Sequence, residues 1–148
     1  MKLLAALLAD AALPVPDGTV MIWRAGITEQ QGIAFPAAVS FSLVVRLEAD
    51  REEVASLHRF SVRIEHEGVE LLPWSPSPLV VKAPPPSEPR AYINLVINLR
   101  FIVPREGEGF IESVVDDDIN LPRLYFRTRQ LPALFGQLPP TGGLPPGL

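Results

Sequence analysis

Apolar and polar positions alternate with period two through most of the chain. Val39, Phe41, Leu43, Val45 and Leu47 alternate with Ser40, Ser42, Val44, Arg46 and Glu48. That pattern predicts a half-buried antiparallel strand with its polar residues outward. Phe60, Val62 and Ile64 alternate in the same way with Arg59, Ser61, Arg63 and Glu65. This second strand runs into Glu67-Gly68 and returns through Val69 to Trp74, a hairpin signal. Further on, Ile93, Leu95, Ile97, Leu99, Phe101 and Val103 share one face of a long strand, with Tyr92, Asn94, Asn98 and Arg100 on the other. Gly107 and Gly109 turn the chain into a strand at 110–115, and a last strand at 121–129 follows the acidic corner Asp116-Asp117-Asp118. Helix signals are scarce. At 50–57 Asp50 can cap a short turn that carries Glu53 in the fourth position.

Prolines bound these windows. The chain has 17, with none between Pro36 and Pro73, between Pro89 and Pro104, or between Pro104 and Pro122. Since proline cannot donate to a sheet ladder, the gaps mark where regular structure lies. The stretch 73–89 holds seven of the 17, and only 79–82 within it reads as extended enough to pair, at an edge. About eight short strands separated by turn signals predict an all-β chain: a single antiparallel β-sandwich, immunoglobulin-like or C2-like, over residues 1–130.

Residues 131–148 differ in composition. They carry no charge, and they hold five prolines, four glycines and five leucines along with Phe135. One reading is a flexible terminal extension. The other is a docking arm, in which Leu131, Leu134, Phe135, Leu138 and Leu144 fill a groove on a neighbouring subunit.

Composition narrows the chemistry. With 148 residues, the chain suits one domain. It has no cysteine, which excludes a disulfide scaffold and thiolate-held metals. Its net charge of -4 disfavours nucleic acid as a partner. The opening apolar run from Leu3 to Ala9 has two readings, a short signal segment or a buried first strand closed by Pro14, Pro16, Asp17 and Gly18. It is too short to span a membrane. Because Asp10 stands where a cleavage site prefers small neutral residues, the strand is favoured, and with it a cytoplasmic location.

Several segments together carry a resemblance. Leu7-Leu8-Ala9-Asp10, Asp17-Gly18-Thr19-Val20-Met21-Ile22, Ile33-Ala34-Phe35-Pro36 and Leu43-Val44-Val45-Arg46-Leu47 resemble an uncharacterised bacterial family, a domain of unknown function. The resemblance spans about residues 3–129, implies a β-sandwich, and carries no catalytic residues. This chain departs from the family pattern at Thr19, where lysine is usual, and in its apolar C-terminal extension.

Catalytic constellations are missing from the sequence. His58 and His66 are eight residues apart in one strand pattern, on one side but about 26 Å apart by strand rise. They cannot share a metal. His58 is expected at the surface where its strand begins, and His66 beside the following turn. No serine stands in a G-x-S-x-G context, and Gly107-Glu108-Gly109 is flanked by acids that would repel phosphate. A carboxylate pair working as in glycosidases would need a deeper cleft than a small sandwich offers. Trp23 and Trp74 read as core or rim packing.

One acidic cluster stands out. Glu106, Glu108, Glu112, Asp116, Asp117 and Asp118 crowd 13 residues, and the only base beside them is Arg105, immediately before. Asp116, Asp117 and Asp118 are candidate calcium ligands, although consecutive residues in extended chain would point apart. The competing reading is a solvated turn. Arg123, Arg127 and Arg129 follow, and could pair between subunits or with the acidic hairpin. The sequence thus favours a non-enzymatic β-sandwich without cofactors, binding itself as a homo-oligomer or another protein through sheet edges and tail, with no membrane or nucleic-acid partner. The alternative is a small-ligand or calcium-binding module that uses the acidic corner.

Overall fold

The computed structural model describes residues 1–32, 34–54, 56–79, 81 and 83–131. The described residues form β1 (Lys2–Pro14), β2 (Val20–Ala25), β3 (Glu29–Gly32), β4 (Ala37–Asp50), α1 (Arg51–Val54), β5 (His58–His66), β6 (Val69–Leu79), β7 (Arg90–Val103), β8 (Gly107–Val115), β9 (Ile119–Asn120) and β10 (Leu124–Gln130). One sheet has the order β2-β1-β4-β7, and the other β3-β10-β8-β5-β6 with β9 beside β8. The two pack face to face as a β-sandwich. Strand pairs are antiparallel except for β3 with β10, which is parallel.

The period-two pattern becomes the core. Val39, Phe41, Leu43, Val45, Leu47 and Ala49 of β4 are all buried, facing Phe60, Val62 and Ile64 of β5 and Ile111 and Val115 of β8 in one cluster. Three rings cross the interior. Phe126 of β10 lies 5.3 Å from Phe41 and 5.5 Å from Phe101 of β7, centroid to centroid, in tilted arrangements that favour ring edges against faces. The short helix carries the expected cap, with Glu53 Oε2 accepting the Asp50 N–H at 2.8 Å.

The first strand does two jobs. From Lys2 to Ala9 it pairs with β4, and from Ala9 onward only with β2. Its second half leaves the sheet and, with β2, folds over the outer face. Ala12 N–H donates to the Ser42 hydroxyl at 3.1 Å, and the Asn94 side chain donates to the Gly18 carbonyl at 2.6 Å. This cover is why Ser42 and Val44, on the outward face of β4, are buried.

Three sequence expectations need correction. Ten strands are present among the described residues, against about eight predicted; β9, of two residues, and β3, of four, are too short to alternate visibly. The proline stretch is strand through Leu79, because β6 is an edge and Pro76 and Pro78, two apart, leave their missing donors on the side that faces no neighbour. Of the predicted pairing segment 79–82, residues 80 and 82 lie outside the described residues. The two glycines, finally, do not form the turn but begin β8.

Gly109 has a packing role. It pairs with His66 on one side and Phe126 on the other. A Cβ there would stand 2.5 Å from the Glu65 carbonyl oxygen and 2.5 Å from the Phe126 ring. The bare position lets that ring cross and stack on the His66 imidazole at 6.0 Å. Gly109→Ala is expected to cost about 1–3 kcal/mol by overpacking, read as a lower urea midpoint. An unchanged midpoint would contradict this packing.

Candidate functional site

The most crowded chemistry on the surface is a stripe across the outer face of the second sheet. Arg63 on β5 sits directly opposite Glu112 on β8, and Phe110 opposite Tyr125 on β10. Glu112 accepts from Arg63 Nη2 at 2.5 Å and from Arg123 Nε at 2.8 Å. Burial would raise the Glu112 carboxyl, but hydrogen bonds from Arg123 and Arg63 outweigh it and hold it below the usual range. The guanidinium of Arg123 stacks 4.2 Å over the Phe110 ring, and that of Arg63 lies 5.7 Å from the Trp74 ring. Trp74 and Tyr125 stay exposed. Arginine, tryptophan and tyrosine on one face are the residue types that anchor protein interfaces.

The basic residues near the C-terminal strand find acids within the chain. Arg123 pairs with Glu112, Arg127 with Glu108 and Arg129 with Glu29. Of the two pairings open to them from sequence, Arg123 and Arg127 take the acidic hairpin. Trp23 and Trp74, expected as core or rim, are about half exposed at 55% and 46%. Trp23 joins Leu13 and Met21 on the outward surface of the β1–β2 hairpin, which turns away from the core when it folds over.

The acidic corner is a tight turn, not extended chain. Asp116 and Asp117 have φ of 53° and 62°, and Asp118 N–H donates to the Val115 carbonyl at 3.2 Å. Aspartate tolerates this left-handed geometry. The three carboxylates do not converge: Asp117 and Asp118 are exposed, while Asp116 turns inward to His58. Among the described residues no group of three or more His, Asp or Glu side chains could hold a metal ion.

His58, expected at the surface, is buried at 7% exposure because two acceptors flank its ring. Nδ1 lies 2.6 Å from Asp116 Oδ2, and Nε2 lies 2.6 Å from the Glu53 carbonyl. Asp116 also accepts the Arg59 N–H at 2.8 Å. Only the imidazolium can donate to both sides at once. Burial alone would lower the His58 pKa, yet the Asp116 carboxylate and Glu53 carbonyl raise it above its ordinary value. His66 is buried too, at 1% exposure, with Nε2 3.0 Å from Thr128 Oγ1. Burial dominates there and pushes its pKa down. The two histidines therefore sit in separate environments, and sequence spacing carried no sign of either partner.

The four sheet edges differ sharply. β2 spans six residues and carries Arg24 at a φ of 50°. β3 is four residues long. β6 holds three prolines and a register shift opposite Val62 and Ile64. Short length, proline, charge and bulges are the features that stop edges from pairing. β7 has none of the structural breaks: fourteen residues without proline, in unbroken register with β4 from Ala37↔Val103 to Asp50↔Arg90. Along its other side no backbone partner is present among the described residues. Of the proposed tail, Leu131 is half-buried and donates its N–H to the Gly32 carbonyl at 2.8 Å. Leu134, Phe135, Leu138 and Leu144 lie outside the described residues.

The His58 clamp makes a pH-dependent contribution. Because its folded pKa is raised, that contribution is complete below about pH 6.5, the unfolded value, and is lost as pH rises through the folded pKa. Asp116, whose pKa is lowered, loses its share as pH falls through its own folded pKa. His58→Gln is expected to cost about 1–3 kcal/mol at pH 5.5 and less at pH 9, measured by thermal unfolding. An equal cost at both pH values would contradict the clamp.

A family model described as "Family of unknown function (DUF6941)" matches residues 4–124 of the chain. No curated protein matches it. With most of its length matched, the chain belongs to that family.

Proposed function

We propose that this member of the DUF6941 family acts through protein–protein contacts and not through catalysis, self-associating by a sheet edge with residues 131–148 as a docking arm. The observation that carries this reading is the open edge of β7, fourteen residues long, in a sandwich whose other edges are short or broken. An unpaired strand of that length offers a row of backbone donors and acceptors, and another strand is what satisfies them. The arginine–aromatic stripe adds a second surface of interface composition, its two cations already paired with Glu112, and Arg63 also with Glu70, and so less costly to dehydrate.

Light scattering on the full chain and on a form lacking residues 131–148 tests the reading. The full chain is expected at a multiple of its 16.2 kDa monomer mass, and the truncated form at a lower average mass at equal concentration. A 16.2 kDa monomer in both forms would remove the self-association.

A further inference from the structure

The β7 edge also limits which strand can lie against it. Its outward face presents Arg90, Tyr92, Asn94, Val96, Asn98, Arg100 and Ile102, and its core face presents apolar side chains throughout. A second copy joined across this edge must keep its own core face on the core side. Opposed residues must then have the same parity, since side chains alternate along a strand. In a two-fold antiparallel pair the axis therefore passes through a residue.

Three central registers can be compared. With the axis on Leu95, Arg90 stands opposite Arg100 of the other copy, and like charges directly opposed are unfavourable. With the axis on Ile97, Val96 faces Asn98 and Asn94 faces Arg100, so apolar meets amide and amide meets cation. With the axis on Val96, Val96 faces itself, Asn94 faces Asn98, and Arg100 faces Tyr92. On the core side Leu95 then meets Ile97, Ile93 meets Leu99, and small Ala91 meets large Phe101. Most pairs are matched in chemistry, the exceptions being Ala91 with Phe101 and Arg90 with Ile102. No two arginines are directly opposed, Arg90 lying only diagonal to Arg100 of the other copy.

Charge supports the same register. Among the described residues Arg100 has no ion pair, hydrogen bond or ring contact. The far end of the edge, at residues 90–94, borders an open groove of ≈ 820 Å³ whose walls include Asp17 and Glu88. Arg90 in that groove is held by Glu48 at 2.8 Å, and Arg46 stacks on Tyr92 at 5.3 Å. The Val96 register brings the unpaired Arg100 of the second copy to this groove, beside Tyr92 and the two acids.

We propose that β7 pairs antiparallel with β7 of a second copy of this chain, about a two-fold axis through Val96. The inference rests on the self-association reading and adds its site, partner and register. The two sheets β2-β1-β4-β7 become one sheet of eight strands, and both open edges disappear.

The absence of native cysteine makes the register directly readable. At a two-fold, Val96→Cys places two Cβ atoms about 4.5–5.5 Å apart, within reach of a disulfide after a small adjustment. Asn98→Cys places its two copies four residues apart along the strand, about 14 Å, out of reach. The full-length variants would be oxidised in dilute solution, run without reductant, and checked for the wild-type mass and melting profile. Under denaturing conditions Val96→Cys is expected to run as a covalent dimer as the main species, while Asn98→Cys runs as the single chain. Should Val96→Cys fold poorly, the opposed pair Asn94→Cys with Asn98→Cys is expected to crosslink in its place. Assemblies by light scattering without a Val96→Cys crosslink would overturn the register while leaving self-association standing. Crosslinking that appears only after residues 131–148 are removed would overturn the proposal in favour of the chain's own tail on this edge. Monomers throughout would overturn both.

Discussion

The ladder between β4 and β7 carries the rest of the molecule. Every residue of Ala37–Asp50 has a partner in Arg90–Val103, with no bulge along its length. That regularity keeps each odd residue of β4 on the core side, so one slip would exchange Leu43 and Leu47 for Arg46 and Glu48. The same ladder places Phe41 and Phe101 together, 6.3 Å apart, and so forms the socket that Phe126 fills from the opposite sheet. The second sheet needs its own concession at that point. Gly109 leaves the space in which the Phe126 ring lies.

Much of this was legible in the residues. The strands β4, β5 and β7 alternate over enough positions for one buried face to be read directly, and Asp50 with Glu53 announced the helix cap. What escaped depends on neighbours far away in the chain. Proline reads as a strand breaker, but an edge strand tolerates it, and nothing local says that β6 is an edge. His58 and His66 look exposed because the groups that receive them, Asp116 and Thr128, come 58 and 62 residues later. The arginine–aromatic stripe gathers Arg63, Trp74, Phe110, Glu112 and Tyr125 from four adjacent strands. Its members were visible singly, and only the strand order aligns them. A signal existed in Arg63 and Glu112, opposite charges on the polar faces of two alternating segments, but the pairing of those segments was not itself readable.

Electrostatics here trims the surface more than it supports the fold. Most of the ion pairs are solvent-exposed and individually worth little. Their effect is to spend the basic residues near β10 on acids of the same sheet, which leaves few cations for an external anion. The corner Asp116-Asp117-Asp118 is likewise divided, one carboxylate turned in to a histidine and two left in water. Among the described residues the side-chain chemistry is largely self-satisfied, and the longest stretch of unpaired backbone is the free side of β7.

The β4–β7 ladder also shapes how the chain can reach its native state. Its nearest ends, Asp50 and Arg90, are 40 residues apart, and its farthest, Ala37 and Val103, are 66 apart. Closing loops of that size is slow compared with forming a local hairpin such as β5–β6. On a nascent chain β4 emerges well before its partner, and until the two strands have found one another β7 is an apolar strand with two unpaired sides. Arg90 and Arg100 then serve as gatekeepers, placing a positive charge near each end of the segment most able to join its own kind prematurely.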